Sequence, residues 1–279
     1  MNIIHSHMNK NYVQSAILIV LCCFLFTAKN TSAQVWEWEK AIGGNGTAQA
    51  NSIITNYSGY VYVVGFYSDT SITFGTTTLT NAGNEDVFIV KYNSSGNVVW
   101  AKGVGGVGNE NAKYVTTDHF GNVYVAGYFT SPSLTFGTST IINTGPCNAF
   151  LVKYNSFGTV LWAKSSEGNG EVQIVSISTD SFGNIYETGN FLLDSTAFDT
   201  DTLTNPGTFL VKYDSSGNVS WAERIGTGNA KSSSITNDAY GNVYVSGSFN
   251  DSFVIFGTTT LINDSSSTSD MFVVKYNNL

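Results

Sequence analysis

Four near-copies of one pentapeptide constrain this chain more than any other feature: GYVYV at 59, GNVYV at 121, GNIYE at 183 and GNVYV at 241. A segment that recurs at a nearly fixed interval is one supersecondary unit copied along the chain, which narrows the fold to a solenoid, a propeller or an array. Other landmarks keep the same order. A W-[AE]-[KE] element stands at Trp38, Trp100, Trp162 and Trp221, spaced by 62, 62 and 59 residues. An aromatic-led element reads FGTTTL at 74, FGTSTI at 136, FDTDTL at 198 and FGTTTL at 256, and FIVKY at 88, FLVKY at 150, FLVKY at 209 and FVVKY at 272 follow in turn. Length differences fall mainly between Asn205 and Phe209 and between Asn263 and Phe272, which marks those stretches as loops.

Within a copy the periods are those of strands. Val123 and Val125 alternate with Tyr124 and Ala126, and Phe88, Val90 and Tyr92 alternate with Ile89 and Lys91. Between these runs lie turns of one chemical type, DHFGN at 118, DSFGN at 180, DAYGN at 238, NSSGN at 93 and DSSGN at 214, in which an Asx side chain caps the turn and glycine takes the left-handed position. Only 11% of residues are charged and three are proline, which also favours strands and turns. Each copy is expected to form a sheet of about four strands with an extra segment at FGTTTL. Such sheets bury both faces by stacking around an axis, so the expected fold is an all-β, four-bladed β-propeller with blades of about 60 residues. The chain begins its repeats with a Trp strand and stops where the next one would start. The strand around Trp36 to Lys40 is therefore expected to complete the last blade and close the ring.

The pattern D-x-x-G-N-[VI]-Y-V-x-G-x-F, then FGTTTL, then D-x-F-[IV]-V-K-Y-[ND]-x-x-G-N-V-x-W, resembles the SBBP-type β-propeller repeats of secreted bacterial proteins over residues 36–279. The resemblance implies a propeller and an extracytoplasmic location, and carries no catalytic motif. Four copies stand here against the seven blades of the family name.

Residues 1–33 are expected to be a secretory signal peptide: Lys10 precedes an apolar run from Ala16 to Ala28, and Thr31, Ser32 and Ala33 lead to Gln34. That run is shorter than the roughly 20 residues of a membrane-spanning helix, so no span is expected after cleavage. Cys22 and Cys23 lack the small residues that a lipidation site places before its cysteine. The remaining domain, 34–279, has 10 basic and 20 acidic side chains, a net charge of −10 that disfavours nucleic acid and anionic membranes. It keeps one cysteine, Cys147, so no intrachain disulfide is expected.

The chemistry offered by the domain is sparse. Its one histidine, His119, occupies a turn position held by Ser181 and Ala239 in other copies, and no catalytic residue is expected. Trp38, Trp100, Trp162 and Trp221 read as inter-blade packing, and the Lys-Tyr pairs at 91, 153, 212 and 275 as a solvated lysine beside a buried tyrosine. Trp36, in the place of Val98, Val160 and Val219, is a candidate contact residue. The third copy gains acids: Glu187 replaces valine, Glu223 replaces lysine, Asp199 replaces glycine, and Asp194 and Asp201 lie nearby. It also holds Arg224, the one arginine of the chain. A carboxylate at an apolar strand position needs a partner, so Glu187 is expected to pair with Arg224 or Lys212, and both Glu187 and Arg224 are candidate binding residues. Asp194, Asp199 and Asp201 are the candidate ligands of a calcium-like cation, the one cofactor considered.

These features point to a secreted or extracytoplasmic, non-catalytic module that binds a protein or glycan at the cell surface, as monomer or homodimer. The alternative is a polysaccharide-acting enzyme that uses the carboxylates of the third copy.

Overall fold

The computed structural model describes residues 37–43, 45–264 and 268–277. The first repeat forms β1 (Ala48–Thr55), β2 (Val61–Tyr67), β3 (Ser71–Phe74), β4 (Thr77–Thr80), β5 (Asp86–Tyr92) and β6 (Val98–Val104). The second forms β7 (Glu110–Thr117), β8 (Val123–Phe129), β9 (Ser133–Phe136), β10 (Ser139–Ile142), β11 (Asn148–Tyr154) and β12 (Val160–Ser165). The third forms β13 (Glu171–Thr179), β14 (Ile185–Leu192), β15 (Ser195–Phe198), β16 (Asp201–Thr204), β17 (Gly207–Tyr213) and β18 (Val219–Ile225). In the fourth, β19 (Lys231–Asn237), β20 (Val243–Phe249), β21 (Phe253–Phe256), β22 (Thr259–Ile262) and β23 (Asp270–Tyr276) complete the set. Among the described residues there is no helix.

Each of the first three repeats makes a four-stranded antiparallel sheet in the order β1-β2-β5-β6 or its equivalent, and the FGTTTL segment makes a separate two-stranded hairpin. The chain is thus all-β, built of small repeated antiparallel sheets, consistent with a repeat β-propeller, and the sheets are called blades below. This strand order puts the β1–β2 type turn of every blade, and the β5–β6 type turn of the first three, at one end, the turn end. The hairpins and the connections between blades lie at the other.

The recurring turn motif has a second purpose beyond reversing the chain. Asp118 Oδ1 accepts the Asn122 backbone N–H at 2.8 Å, while Oδ2 accepts the Asn122 side-chain amide at 2.8 Å and the Tyr124 hydroxyl at 2.9 Å. Asp180 and Asp238 repeat this with Tyr186 and Tyr244 at 3.2 and 3.1 Å. One carboxylate therefore ties the turn to the tyrosine of GNVY, which explains why Asx, Gly, Asn and Tyr recur together. In the first blade Asn56 replaces the aspartate, and the Tyr62 hydroxyl is left without a partner.

Consecutive blades join through an apolar face of one and the opposite face of the next. Tyr62, Val64, Val87 and Ile89 of the first blade pack with Val115, Val125, Val152 and Tyr154 of the second, and the second and third joints follow the same scheme. Trp100, Trp162 and Trp221 sit in these joints as expected: the Trp100 ring lies 6.0 Å from Tyr62 and 6.4 Å from Tyr154 across the boundary. Lys91 and Lys153 correct the expectation of a solvated face, whereas Lys275 is exposed as expected. Lys91 is buried, and its ammonium donates to the Ser156 carbonyl of the next blade at 2.8 Å, beside Trp100 Nε1 at 3.3 Å. Lys153 and Trp162 grip the Ser215 carbonyl at 2.8 and 3.3 Å. The lysines also lie over tyrosine rings of their own blades, at 5.3 Å for Lys91 over Tyr62 and 5.1 Å for Lys153 over Tyr124. Burial lowers the pKa of both ammonium groups below the usual lysine value.

The expected closing strand is not seen among the described residues. Trp36 lies outside the described residues, and Glu37 to Lys40 are in no strand. The fourth blade has three strands among the described residues, in the order β19-β20-β23. Inner strands pack in sequence, β1 on β7, β7 on β13 and β13 on β19, whereas β1 and β19 share no comparable packing.

Candidate functional site

Glu187 lies on β14 opposite Ile177 and Val211, 1% exposed, in the joint between the second and third blades. Burial in that apolar joint pushes its pKa up to about 8, opposed by a hydrogen bond from the Tyr213 hydroxyl. Its Oε2 has no partner. The tyrosine is buried too, and burial, then the charge of Glu187, drives its own pKa well above the usual tyrosine value. At the matching place in the second blade, Val125 offers no acceptor and the Tyr154 hydroxyl is unpaired. Glu187 is therefore a protonatable partner for a buried tyrosine.

The expected ion pairs of Glu187 are not formed. Lys212 stands opposite Tyr186 in the strand register, which places it on the other face of the sheet from Glu187, with its ammonium 5.6 Å from the Tyr186 ring. Arg224 turns to backbone carbonyls. Its Nε donates to Asn205 O at 3.0 Å, Nη1 to Gly226 O at 2.8 Å and Nη2 to Pro206 O at 3.2 Å. Room for it comes from Gly207, where a Cβ would approach Arg224 Nε to 2.7 Å. The equivalent Asp86 and Asn148 instead bond the same connections with their own side chains, to Ala82 N at 2.9 Å and to the Ser166 carbonyl. Arginine at 224 and glycine at 207 are one exchange, made to tie a loop.

The three candidate cation ligands are also separated. Lys164 Nζ donates to both Asp199 oxygens at 3.0 and 3.1 Å, an inter-blade ion pair on the surface that contributes about 0–1 kcal/mol. Asp201 Oδ2 accepts the Ala222 N–H at 2.9 Å, and Asp194 is exposed. Among the described residues no three of His, Cys, Asp and Glu gather as a metal-ligand group. Trp36, the remaining candidate, lies outside the described residues.

What the sequence reading missed is at the turn end. Each of the four equivalent β1–β2 type turns exposes one aromatic ring: Tyr57 at 97%, Phe120 at 67%, Phe182 at 65% and Tyr240 at 78%. Phe157, on the neighbouring turn of the second blade, is also exposed. Phe120 reaches the turn of the next blade, where a Cβ at Gly183 would meet its ring at 3.6 Å. The signal was available in D-x-[FY]-G at 118, 180 and 238 and in NYSG at 56, because such a turn needs only its Asx and its glycine. At the opposite end, a polar cavity of about 320 Å³ is lined by Asn229, Lys231, Ser248, Phe249, Asn250 and Ser269.

No family model matches the chain. A stretch of 148 residues, 51% of this chain, is 31% identical to an uncharacterized WD repeat-containing protein, L264, of Acanthamoeba polyphaga mimivirus. The chain spans only 11% of that protein's length. The likeness is to a repeat protein, in keeping with the repeated small sheets. A crystal structure of a protein of unknown function from Bacteroides caccae overlays with a TM-score of 0.41 at 12% identity, covering 86% of this chain and 64% of the other.

Proposed function

We propose that the chain is a secreted or extracytoplasmic, non-catalytic β-propeller-type module that binds a protein or glycan through its turn end. The observation that carries this reading is the exposed ring on each of four equivalent turns. Large exposed rings on turns that do not need them, all at one end of the sheets, are the features of a contact surface. Flat aromatic faces with polar Asx neighbours favour a glycan, whose sugar rings present C–H faces and hydroxyls together. Glu187, one of the third-copy carboxylates on which a polysaccharide-acting enzyme would rest, is hydrogen-bonded inside a blade joint and offers no oxygen to a substrate at the surface.

The test is a glycan and surface-protein binding screen on the parent, repeated with Tyr57, Phe120, Phe182 and Tyr240 all changed to alanine. The variant should melt like the parent and bind its ligand at least about tenfold more weakly, a loss of about 1.4 kcal/mol or more. A variant that binds as well as the parent overturns the assignment. The secretory part rests on the sequence of residues 1–33 and predicts a mature chain that begins at or near Gln34. Intact-mass measurement on secreted material checks it, and retention of residues 1–33 contradicts it.

A further inference from the structure

The joint that holds successive blades together has two halves, and each half also occurs once without its usual cover. On the departing face of a blade, Val87 and Ile89 in the first copy are fully buried by the second blade. Their counterparts on β23, Met271 and Val273, are 72% and 59% exposed, and Lys275 is exposed where Lys91 is buried. On the receiving face, Val115, Ile177 and Ile235 are 6%, 8% and 6% exposed, but their counterpart Ile53 is 65% exposed. Val61 and Val63 are half-buried where Val123 and Val125 are fully buried.

We propose that a second copy of this chain docks here, the departing face of each fourth blade on the receiving face of the other copy's first blade. The two faces are halves of one joint that the chain already builds three times, from the same residue classes at the same positions. Lys275 repeats the lysines that reach a carbonyl on the next blade's turn, and the matching turn of the second copy is Asn93–Gly96. A second copy fits better than the chain's own first blade. Packed joints have a fixed geometry, and after three of them β1 and β19 still share no comparable packing. With both halves on every chain, two copies form a closed pair with two identical joints and no open face. This inference goes beyond the binding surface at the turn end and stands independently of it.

Solution mass, by light scattering or sedimentation over a range of concentrations, tests the proposal on the full chain. The parent should have the mass of two chains. Met271→Glu with Val273→Glu should give one chain, and so should Ile53→Glu, each still folded with a cooperative melting transition because all three side chains are exposed within a single chain. Mixing the two variants should restore a two-chain species, since the mixture retains one intact joint. If either variant fails to fold, Met271→Lys or Ile53→Lys alone replaces it. A parent with one-chain mass at every concentration overturns the proposal, as does a folded variant that keeps two-chain mass or a mixture that remains monomeric.

Discussion

Replacing Glu187 with valine should make the protein more stable at pH 7, by about 3 kcal/mol, and should remove a pH dependence that the parent shows. The folded pKa of Glu187, about 8, lies above the usual glutamate value of 4.5 expected when the chain is unfolded. The folded state therefore holds the proton longer, and unfolding anywhere between these values releases it. The stability that belongs to the protonated carboxyl is fully present below pH 4.5, declines as pH rises, and is gone above pH 8. At about 1.4 kcal/mol per pH unit, the parent should lose on the order of 4 kcal/mol between pH 5 and pH 8 through this one group. Valine leaves the Tyr213 hydroxyl without its acceptor, which offsets about 1 kcal/mol of the gain. Tyr62 and Tyr154 already tolerate that state, so the fold is not at risk. Urea unfolding of parent and variant at pH 5 and pH 8 measures both effects. Equal pH dependence in the two proteins would show that Glu187 does not carry a buried proton.

The repeat made the architecture legible, because a two-residue apolar period and an Asx-Gly turn are local properties that a linear sequence displays directly. The joints were less so. Whether Lys91 meets water or a carbonyl depends on Ser156, 65 residues away, which no periodicity announces. Burial of Glu187 could be inferred from the valines that replace it, but its partner could not be chosen by proximity in sequence. Parity decided it: Lys212 pairs with Tyr186 across the ladder and so points to the other face, a matter of register that emerges only when β14 and β17 align. Arg224 left a trace that composition obscured. Gly207 stands where Asp86, Asn148 and Asp270 carry side chains, and a missing side chain opposite a gained one marks a space-filling exchange rather than an ion pair. Closure is legible only in part: an offset in the repeat says which strand a blade lacks, not whether the row curves enough to bring the ends together.

Gly127→Ala should lower stability by about 2–3 kcal/mol, although the change adds a single methyl group. This glycine follows GNVYVA, and its equivalents Gly65, Gly189 and Gly247 occupy the same place in the other copies. Each sits opposite a β-bulge in the inner strand, between Ala112 and Tyr114 in the second blade, where one extra residue presses its backbone toward the neighbouring strand. A Cβ at 127 would overlap the Asn111 carbonyl oxygen and come within 2.9 Å of the Ala112 Cα. Those are main-chain atoms, held by the ladder on one side and by the joint with the adjacent blade on the other, so no rotamer change relieves the contact. The bulge must move, and Val115, packed in the core between the first and second blades, must move with it. At roughly 2–4 °C per kcal/mol for a chain of this size, the melting temperature should fall by about 5–10 °C. Gly43→Ala is the control, because a Cβ there meets nothing within 4 Å. If the two variants melt together with the parent, the bulge has slack that the packing does not suggest, and the recurrence of glycine at this position needs another cause.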